Sequence, residues 1–209
     1  MKNKNFKVLI LILLLVLYET FMYLITKLTP MDVNLIGNYL DNKIPFVSQF
    51  VYAYISWYAM LFIIPYIFYK KNVNSFNKYY IVILLCITLV SFIYMFYPTT
   101  INRADILLSG ISGKLVNLIY KIDTPVLNCF PSMHCLVSFV FIYISLGDKN
   151  IYKYLRIFIV LWSVLVILST LFIKQHVLVD VISAFVLSIL VYKLVGKIKF
   201  FKDFYVINH

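Results

Sequence analysis

The sequence predicts an all-α fold: a polytopic membrane protein of six transmembrane helices packed as a bundle, with residues 1–209 forming a single integral membrane domain. Three observations predict it. The chain is 63% hydrophobic and only 13% charged, with a mean hydropathy of +0.93. A soluble domain is roughly half apolar and a quarter charged, so these residues cannot cover a water-soluble globule. The apolar residues gather into runs near the ~20 residues that one helical crossing needs. The charged residues fall between those runs.

The first run, 6–26, follows Lys2, Lys4 and Lys7. It is longer than a signal-peptide core, and no small-x-small cleavage site follows in Phe21 to Lys27, so it reads as a retained anchor helix. Further runs predict helices over 49–69, 79–97, 133–147, 154–173 and 176–195. The fourth is short, with Gly147 as its stop signal. Segment 27–48, with Pro30, Gly37 and Pro45, reads as an external loop carrying a short interfacial helix. Segment 98–132 is the longest polar stretch, a loop of the length that usually serves function. Trp57, Tyr97 and many other Tyr can serve as interface anchors, but aromatic residues are too common in this chain to discriminate. The sequence shows no internal repeat, low-complexity linker or second domain.

The net charge is +11, from 19 basic and 8 acidic residues. The basic residues do not form a stripe, which sets nucleic-acid binding aside. One side of the bundle collects Lys2, Lys4, Lys7, Lys70, Lys71, Lys78, Lys149, Lys153, Arg156, Lys193, Lys197, Lys199 and Lys202. The other holds Lys27, Lys43, Arg103, Lys114, Lys121 and Lys174, together with Asp32, Asp41, Asp105 and Asp123. The richer side is expected to be cytoplasmic, with both termini inside. The expected location is a plasma membrane, and heavy use of Lys, Asn, Ile and Tyr points to a bacterial one.

Three polar stretches fall on the outer side: YPTTINRADI (97–106), NCFPSMHC (128–135) and STLFIKQHVLVD (169–180). Ionisable groups at a membrane edge are expensive and mark functional sites by default. His176 and Asp180 are four apart, a spacing that shares one face of a helix. The carboxylate can then accept the Nδ1–H of the imidazole and leave Nε2 as a nucleophile or base. The alternative is an ordinary polar pair stapling the helix. Ser132 reads as the N-cap of the fourth helix, whose free N–H groups favour an anion. His134, in that first turn, is placed to protonate a departing oxygen; the alternative is a capped helix with an interfacial His. Arg103 can hold phosphate with two parallel bonds, and Lys174 adds a second cation; the alternative for both is a lipid headgroup contact. Together the pieces fit phosphoryl transfer without a metal or other cofactor.

These residues resemble the type 2 phosphatidic acid phosphatase superfamily, also called the vanadium haloperoxidase-like phosphatases. Pro131, Ser132, Met133 and His134 match its Pro-Ser-Gly-His motif. Ser169, Thr170, His176 and Asp180 match its Ser-Arg-x5-His-x3-Asp motif, and Arg103 alone matches its Lys-x6-Arg-Pro motif. The PSMH stretch with the STLF…H…D pattern is closer to the branch containing inositol phosphorylceramide synthase-like proteins. The likeness covers 97–180. It departs at Phe96 for Lys, Ala104 for Pro, Met133 for Gly and Thr170 for Arg. Lys174 would stand in for that missing Arg if the helix carrying Thr170 continues far enough.

The resemblance implies a helical-bundle phosphatase core and a covalent phosphohistidine. His176 would be the nucleophile, Asp180 its orienting partner and His134 the acid, with Ser132, Arg103, Ser169 and Lys174 binding phosphate and no metal or cofactor. The implied partners are a lipid phosphate and the surrounding membrane lipids. Three functions are open at this point: a lipid phosphatase at the outer leaflet, a transferase moving a phospho-headgroup to an alcohol, and a non-enzymatic homologue. Cys129 and Cys135 flank the PSMH stretch, and spacing alone does not pair them. Glu19 is expected to pair with Lys27 or to line a path for lipid, Asp105 and Asp123 to balance Arg103, Lys114 and Lys121, and Asn128 to brace the 98–132 loop. His209 has no partner in view.

Overall fold

The computed structural model describes residues 2–28, 32–103, 109–198 and 206–207. Pro30, Ala104, Asp105, Lys199, Lys202 and His209 lie outside the described residues. Within them the chain forms α1 (Lys2–Leu28), α2 (Tyr39–Lys43), α3 (Val51–Lys71), α4 (Val73–Phe96), α5 (Gly110–Ile122), α6 (Met133–Gly147), α7 (Lys153–Phe172) and α8 (Leu178–Lys197). A 3₁₀ turn over Ser48–Phe50 leads into α3. A two-residue parallel pairing of β1 (Asn34–Leu35) with β2 (Thr99–Thr100) ties the segment after α1 to the segment after α4.

Among the described residues, five stretches are long and apolar enough to cross a membrane: Lys4–Leu28, Ser48–Lys71, Val73–Phe96, Lys153–Phe172 and Leu178–Lys197. The sixth expected crossing is the short one. The helix over 133–147 forms with the predicted bounds, but its 15 residues rise only about 22 Å at 1.5 Å each, short of a ~30 Å hydrocarbon core. Its surroundings explain how so short a helix is stable. α6 packs against α7, α8 and α4 at the centre of the bundle, and Leu136, Val137, Val140 and Phe141 are fully enclosed. α1 lies at the flank against α3 and α4. On it Val8, Ile12 and Leu15 form a buried stripe, with Thr26 buried near its end, while Leu13, Leu17 and Leu24 face outward. Apolar side chains on the outer face of such a helix suit lipid rather than water.

Asn72 makes the tight turn between α3 and α4. Its N–H closes α3 on Phe68 O at 2.7 Å, and its side chain accepts from Asn74 N at 3.0 Å. α4 therefore begins six residues earlier than the sequence predicts. The basic groups converge on this end of the bundle. Lys70 Nζ donates to Asn5 Oδ1 at 3.2 Å, Lys71 sits over the Tyr152 ring, and Lys78 sits over the Tyr192 ring. Ser75 Oγ donates to the buried Asp148 carboxylate at 2.6 Å, and Asn77 donates to Ile207 O and accepts from Ile207 N, each at 2.9 Å.

The 98–132 segment, expected as a loop, contains a helix. α5 places Val116 in a small core with Val51, Tyr54 and Ile173, while Ile111, Leu118 and Ile122 stand exposed. An amphipathic helix with apolar residues on its outer side is suited to lie in a membrane interface.

Asn77 is buried and carries both hydrogen bonds that hold Ile207. Asn77→Ala is expected to lower stability in detergent by about 1–3 kcal/mol and to release Ile207, read as faster hydrogen exchange of its amide. Unchanged melting and exchange would contradict this role.

Candidate active site

α6 and α8 begin side by side at the end of the bundle opposite the Lys-rich one, and backbone bonds fix their approach. Ser132 is the N-cap of α6, its Oγ accepting from Cys135 N at 3.3 Å. Its own N–H donates to Asp180 O, in the first turn of α8, at 3.3 Å. α7 ends at Phe172, and Lys174 turns the chain with a φ of 53°. The Thr170 carbonyl then accepts from both Gln175 N at 2.9 Å and His176 N at 3.1 Å. This turn holds His176 just ahead of α8.

His176 and Asp180 meet as the spacing predicts, but not on a shared helical face. His176 precedes the N-cap, Val177. The Asp180 carboxylate reaches back in the manner of a capping box. Its Oδ2 accepts from Val177 N at 3.0 Å and from His176 Nδ1 at 3.1 Å. The Asp180 side chain is 0% exposed and that of His176 11%. A carboxylate only accepts, so Nδ1 carries the proton and Nε2 presents a lone pair.

His134 lies in the first turn of α6, its ring centroid 6.3 Å from that of His176. It stacks on Trp57 at 4.0 Å and on Tyr54 at 4.3 Å, both from α3. Trp57 is 3% exposed, which corrects its reading as an interface anchor. Its ring instead fixes the plane of an imidazole.

The two imidazoles stand in the wall of a cavity of about 610 Å³. Most of the lining is apolar and comes from α1, α3, α4 and α5, with Leu61, Ile87, Val90, Leu118 and Ile122 among it. Glu19 lines this cavity too, while Lys27 is bound elsewhere, so the expected Glu19–Lys27 pair is replaced by the lining role. A second cavity, also of about 610 Å³, has Asn38, Asn42, Asn102 and Lys174 in its wall. His176 is common to both linings, so the imidazole stands between an apolar chamber and a polar one.

Arg103 is nearly enclosed and lies over the Tyr120 ring, 4.8 Å from its centroid. It donates from one nitrogen to Asp123 Oδ2 and to Gln175 Oε1. Nε and the other terminal nitrogen have no hydrogen-bond partner among the described residues. Asp123, at the end of α5, balances Arg103 as expected and also accepts from Tyr23 Oη at 2.5 Å and Lys27 Nζ at 3.1 Å. Burial pushes the Asp123 carboxyl up, but the hydrogen bonds from Tyr23 and Arg103, with the charges of Arg103 and Lys27, hold it below the usual carboxylate range. Lys27, Asp123 and Arg103 together leave one positive charge next to Gln175.

The remaining predicted phosphate ligands sit differently. The helix does not continue to Lys174, so Lys174 does not replace the missing Arg from the face of Thr170. Its Nζ donates instead to Asp41 O at 2.8 Å and Ile44 O at 2.5 Å. The hydroxyls of Ser169 and Thr170 turn back onto their own helix, donating to Val166 O at 2.6 Å and Ile167 O at 2.8 Å. Ser132 is fully buried at the junction of α6 and α8. Asn128 Nδ2 donates to Thr26 Oγ1 at 2.8 Å, bracing the loop against α1. Cys129 and Cys135 are both free and buried. Among the described residues, no three His, Cys, Asp or Glu side chains gather as metal ligands.

Tyr54, Tyr120, Gln175 and Asp41 join the site without being among the residues expected there. Asp41 caps α8 from a distance, accepting from Leu178 N at 2.8 Å. For Gln175 a signal was available: an amide directly before the motif His.

A model of the PAP2 superfamily matches residues 112–203. The match takes in most of α5 and all of α6, α7 and α8, and with them His134, His176 and Asp180; Arg103 and α1 to α4 lie before it. No curated protein and no solved structure matches the chain.

Asp123 yields a pH prediction. A carboxyl held low in the folded state contributes stability above its unfolded pKa and loses it as pH falls through the folded one. Asp123→Asn should lower stability in detergent by about 1–3 kcal/mol at pH 7. The gap from wild type should be constant between about pH 7 and 5 and shrink only below the ordinary Asp value of ~3.9. A gap that already closes between pH 7 and 5 would contradict the assignment.

Proposed function

We propose that the protein is a membrane lipid phosphatase of the PAP2 superfamily, hydrolysing a lipid phosphate or polyprenyl diphosphate at the extracytoplasmic leaflet through a phosphohistidine. One observation carries the reading. An imidazole oriented by a buried carboxylate faces a second imidazole 6.3 Å away, at the edge of an apolar cavity. The match to the superfamily over 112–203 supports phosphatase or phosphotransferase chemistry on lipid phosphates at that coarse level.

The geometry maps onto two displacements. His176 Nε2 attacks phosphorus, the bond from phosphorus to the lipid oxygen breaks, and His134 gives that oxygen its proton. Water then enters where the lipid oxygen left. His134 takes its proton, the oxygen attacks phosphorus, and the N–P bond breaks to return His176 and release phosphate. Asp180 keeps the proton on Nδ1 throughout and stabilises the positive ring as it forms. The bound geometry needs reacting atoms about 3–3.5 Å apart, and the spacing of the two rings is of the size that one phosphoryl group bridges. Arg103 neutralises the phosphate, and no metal takes part. The apolar chamber takes the hydrocarbon chain and the polar one faces the water-soluble product.

Leaflet and topology belong to the same proposal. The Lys-rich end is cytoplasmic and the imidazoles face out, with α6 entering the bundle from the outer side as a short sixth membrane element. Single cysteines on a cysteine-free background should react with an impermeant maleimide at position 114 in intact cells and at position 70 only after lysis. The reverse pattern would overturn the orientation.

The purified protein, given labelled lipid phosphate in EDTA, should release free phosphate. An alcohol that captures the label in place of water would instead establish the transferase reading, and neither product would leave a non-enzymatic homologue. His176→Ala should abolish release. Asp180→Asn should lower kcat by about 10³–10⁴, as expected when an orienting carboxylate is lost. His134→Gln should lose about 10²–10⁴ on the lipid substrate but far less on an aryl phosphate whose leaving oxygen needs no proton. Equal losses on both substrates would remove His134 from the acid role.

A further inference from the structure

Positive charge is scarce where the phosphate has to sit. Lys174 is held by the carbonyls of Asp41 and Ile44, and Arg103 is shared with Asp123. Buried polar atoms without partners are rare in folded proteins, and each asks for an explanation such as an unseen ligand. In this protein they cluster. Trp57 Nε1, Gln175 Nε2 and His134 Nε2 are all buried, all without a hydrogen-bond partner, and all on residues of the cavity wall that contains His176. Arg103 Nε and its second terminal nitrogen belong to the same group through the Arg103–Gln175 bond.

The orientation of the Gln175 amide follows from its neighbour. A guanidinium only donates, so Gln175 must turn Oε1 toward Arg103 and its NH₂ away from it. Trp57 is similarly constrained, because its ring is stacked on His134 at 4.0 Å and an indole N–H can only donate. Both residues are nearly fully enclosed, at 2% and 3% exposure.

We propose that Gln175 and Trp57 are phosphate ligands: their neutral N–H groups, with Arg103 behind Gln175, form the cradle for the phosphoryl oxygens of the substrate. The inference rests on the phosphoryl-transfer reading of the site and adds the groups that hold its anion. Neutral donors suit this location. They carry no ionic desolvation penalty when the apolar cavity is empty, yet fixed donors in a low-dielectric site stabilise an anion far better than in water.

The test uses the full chain in detergent with inorganic phosphate as probe. The protein has two tryptophans. Trp162 donates to Ser56 Oγ and stands outside the cavity lining, so Trp162→Phe leaves Trp57 as the sole reporter. Phosphate should change Trp57 emission saturably. Gln175→Glu keeps an acceptor for Arg103 while removing the donor, and should weaken phosphate at least tenfold. Trp57→Phe keeps a ring on His134 and removes only the N–H. It should raise both the inhibition constant of phosphate and the KM for lipid phosphate several-fold, with a smaller change in kcat. Phosphate affinity unchanged in both variants would overturn the cradle even if the enzyme hydrolyses lipid phosphate. Phosphate binding that depends on Gln175 and Trp57, measured by calorimetry on each variant, would uphold it even if no lipid phosphate were turned over, in which case the proposed hydrolysis fails on its own.

Discussion

The arrangement at the end of the bundle opposite the lysines depends on one buried carboxylate. Asp180 Oδ2 accepts the N–H of Val177 and Nδ1 of His176, while the Asp180 backbone carbonyl accepts the N–H of Ser132. One residue thus starts α8, orients the first imidazole and draws up the N-terminus of α6 that carries the second. Its other oxygen is buried without a partner. The contacts of the carboxylate are therefore concentrated on Oδ2, which Val177 N and His176 Nδ1 share. Structural capping and chemistry rest on the same atoms here, so a change that frees His176 also loosens the α6–α8 junction.

The second constraint is dielectric. A charge placed in an apolar bundle costs several kcal/mol unless it is paired, and this protein answers by chaining its ions. Lys27, Asp123 and Arg103 connect α1, the end of α5 and the loop after α4, and Gln175 extends the chain to the residue beside His176. α5 contributes to both sides of the problem. It delivers Asp123 and Tyr120 to the ion chain, and its apolar residues close one wall of the cavity. Tyr120 Oη also donates to Ile173 O at 2.6 Å, fixing the turn that presents His176.

Much of this was legible in the sequence because it is written in local patterns. Apolar runs located all six long or central helices, and Lys grouping separated the two ends. His134, His176 and Asp180 announced themselves as polar residues at apolar helix starts. What the sequence hid depends on tertiary contacts. The short α6 counts as a membrane crossing by hydropathy, yet its length follows from being enclosed by α4, α7 and α8. Lys174 has the spacing to extend a helix, but the chain turns at that residue and delivers its ammonium to α2. Trp57 has the composition of an interface anchor, and only packing shows it stacked on His134. α5 was hidden by its lysines and glycines, although Val116 and Ile119 with Leu115 and Leu118 mark one apolar face. Gln175 could not be valued before Arg103, distant in sequence, was seen to fix its amide.

The proposed role of His176 is to carry the phosphoryl group from the lipid oxygen to water, and trapping that bond tests it most directly. The protein would be mixed with phosphorus-labelled lipid phosphate, quenched in alkali within milliseconds and digested for mass spectrometry. The account predicts an alkali-stable, acid-labile phosphate on the peptide containing His176, made longer-lived by His134→Gln when an aryl phosphate supplies the group. Turnover of the substrate with no label at position 176, or with label on another side chain, would contradict it.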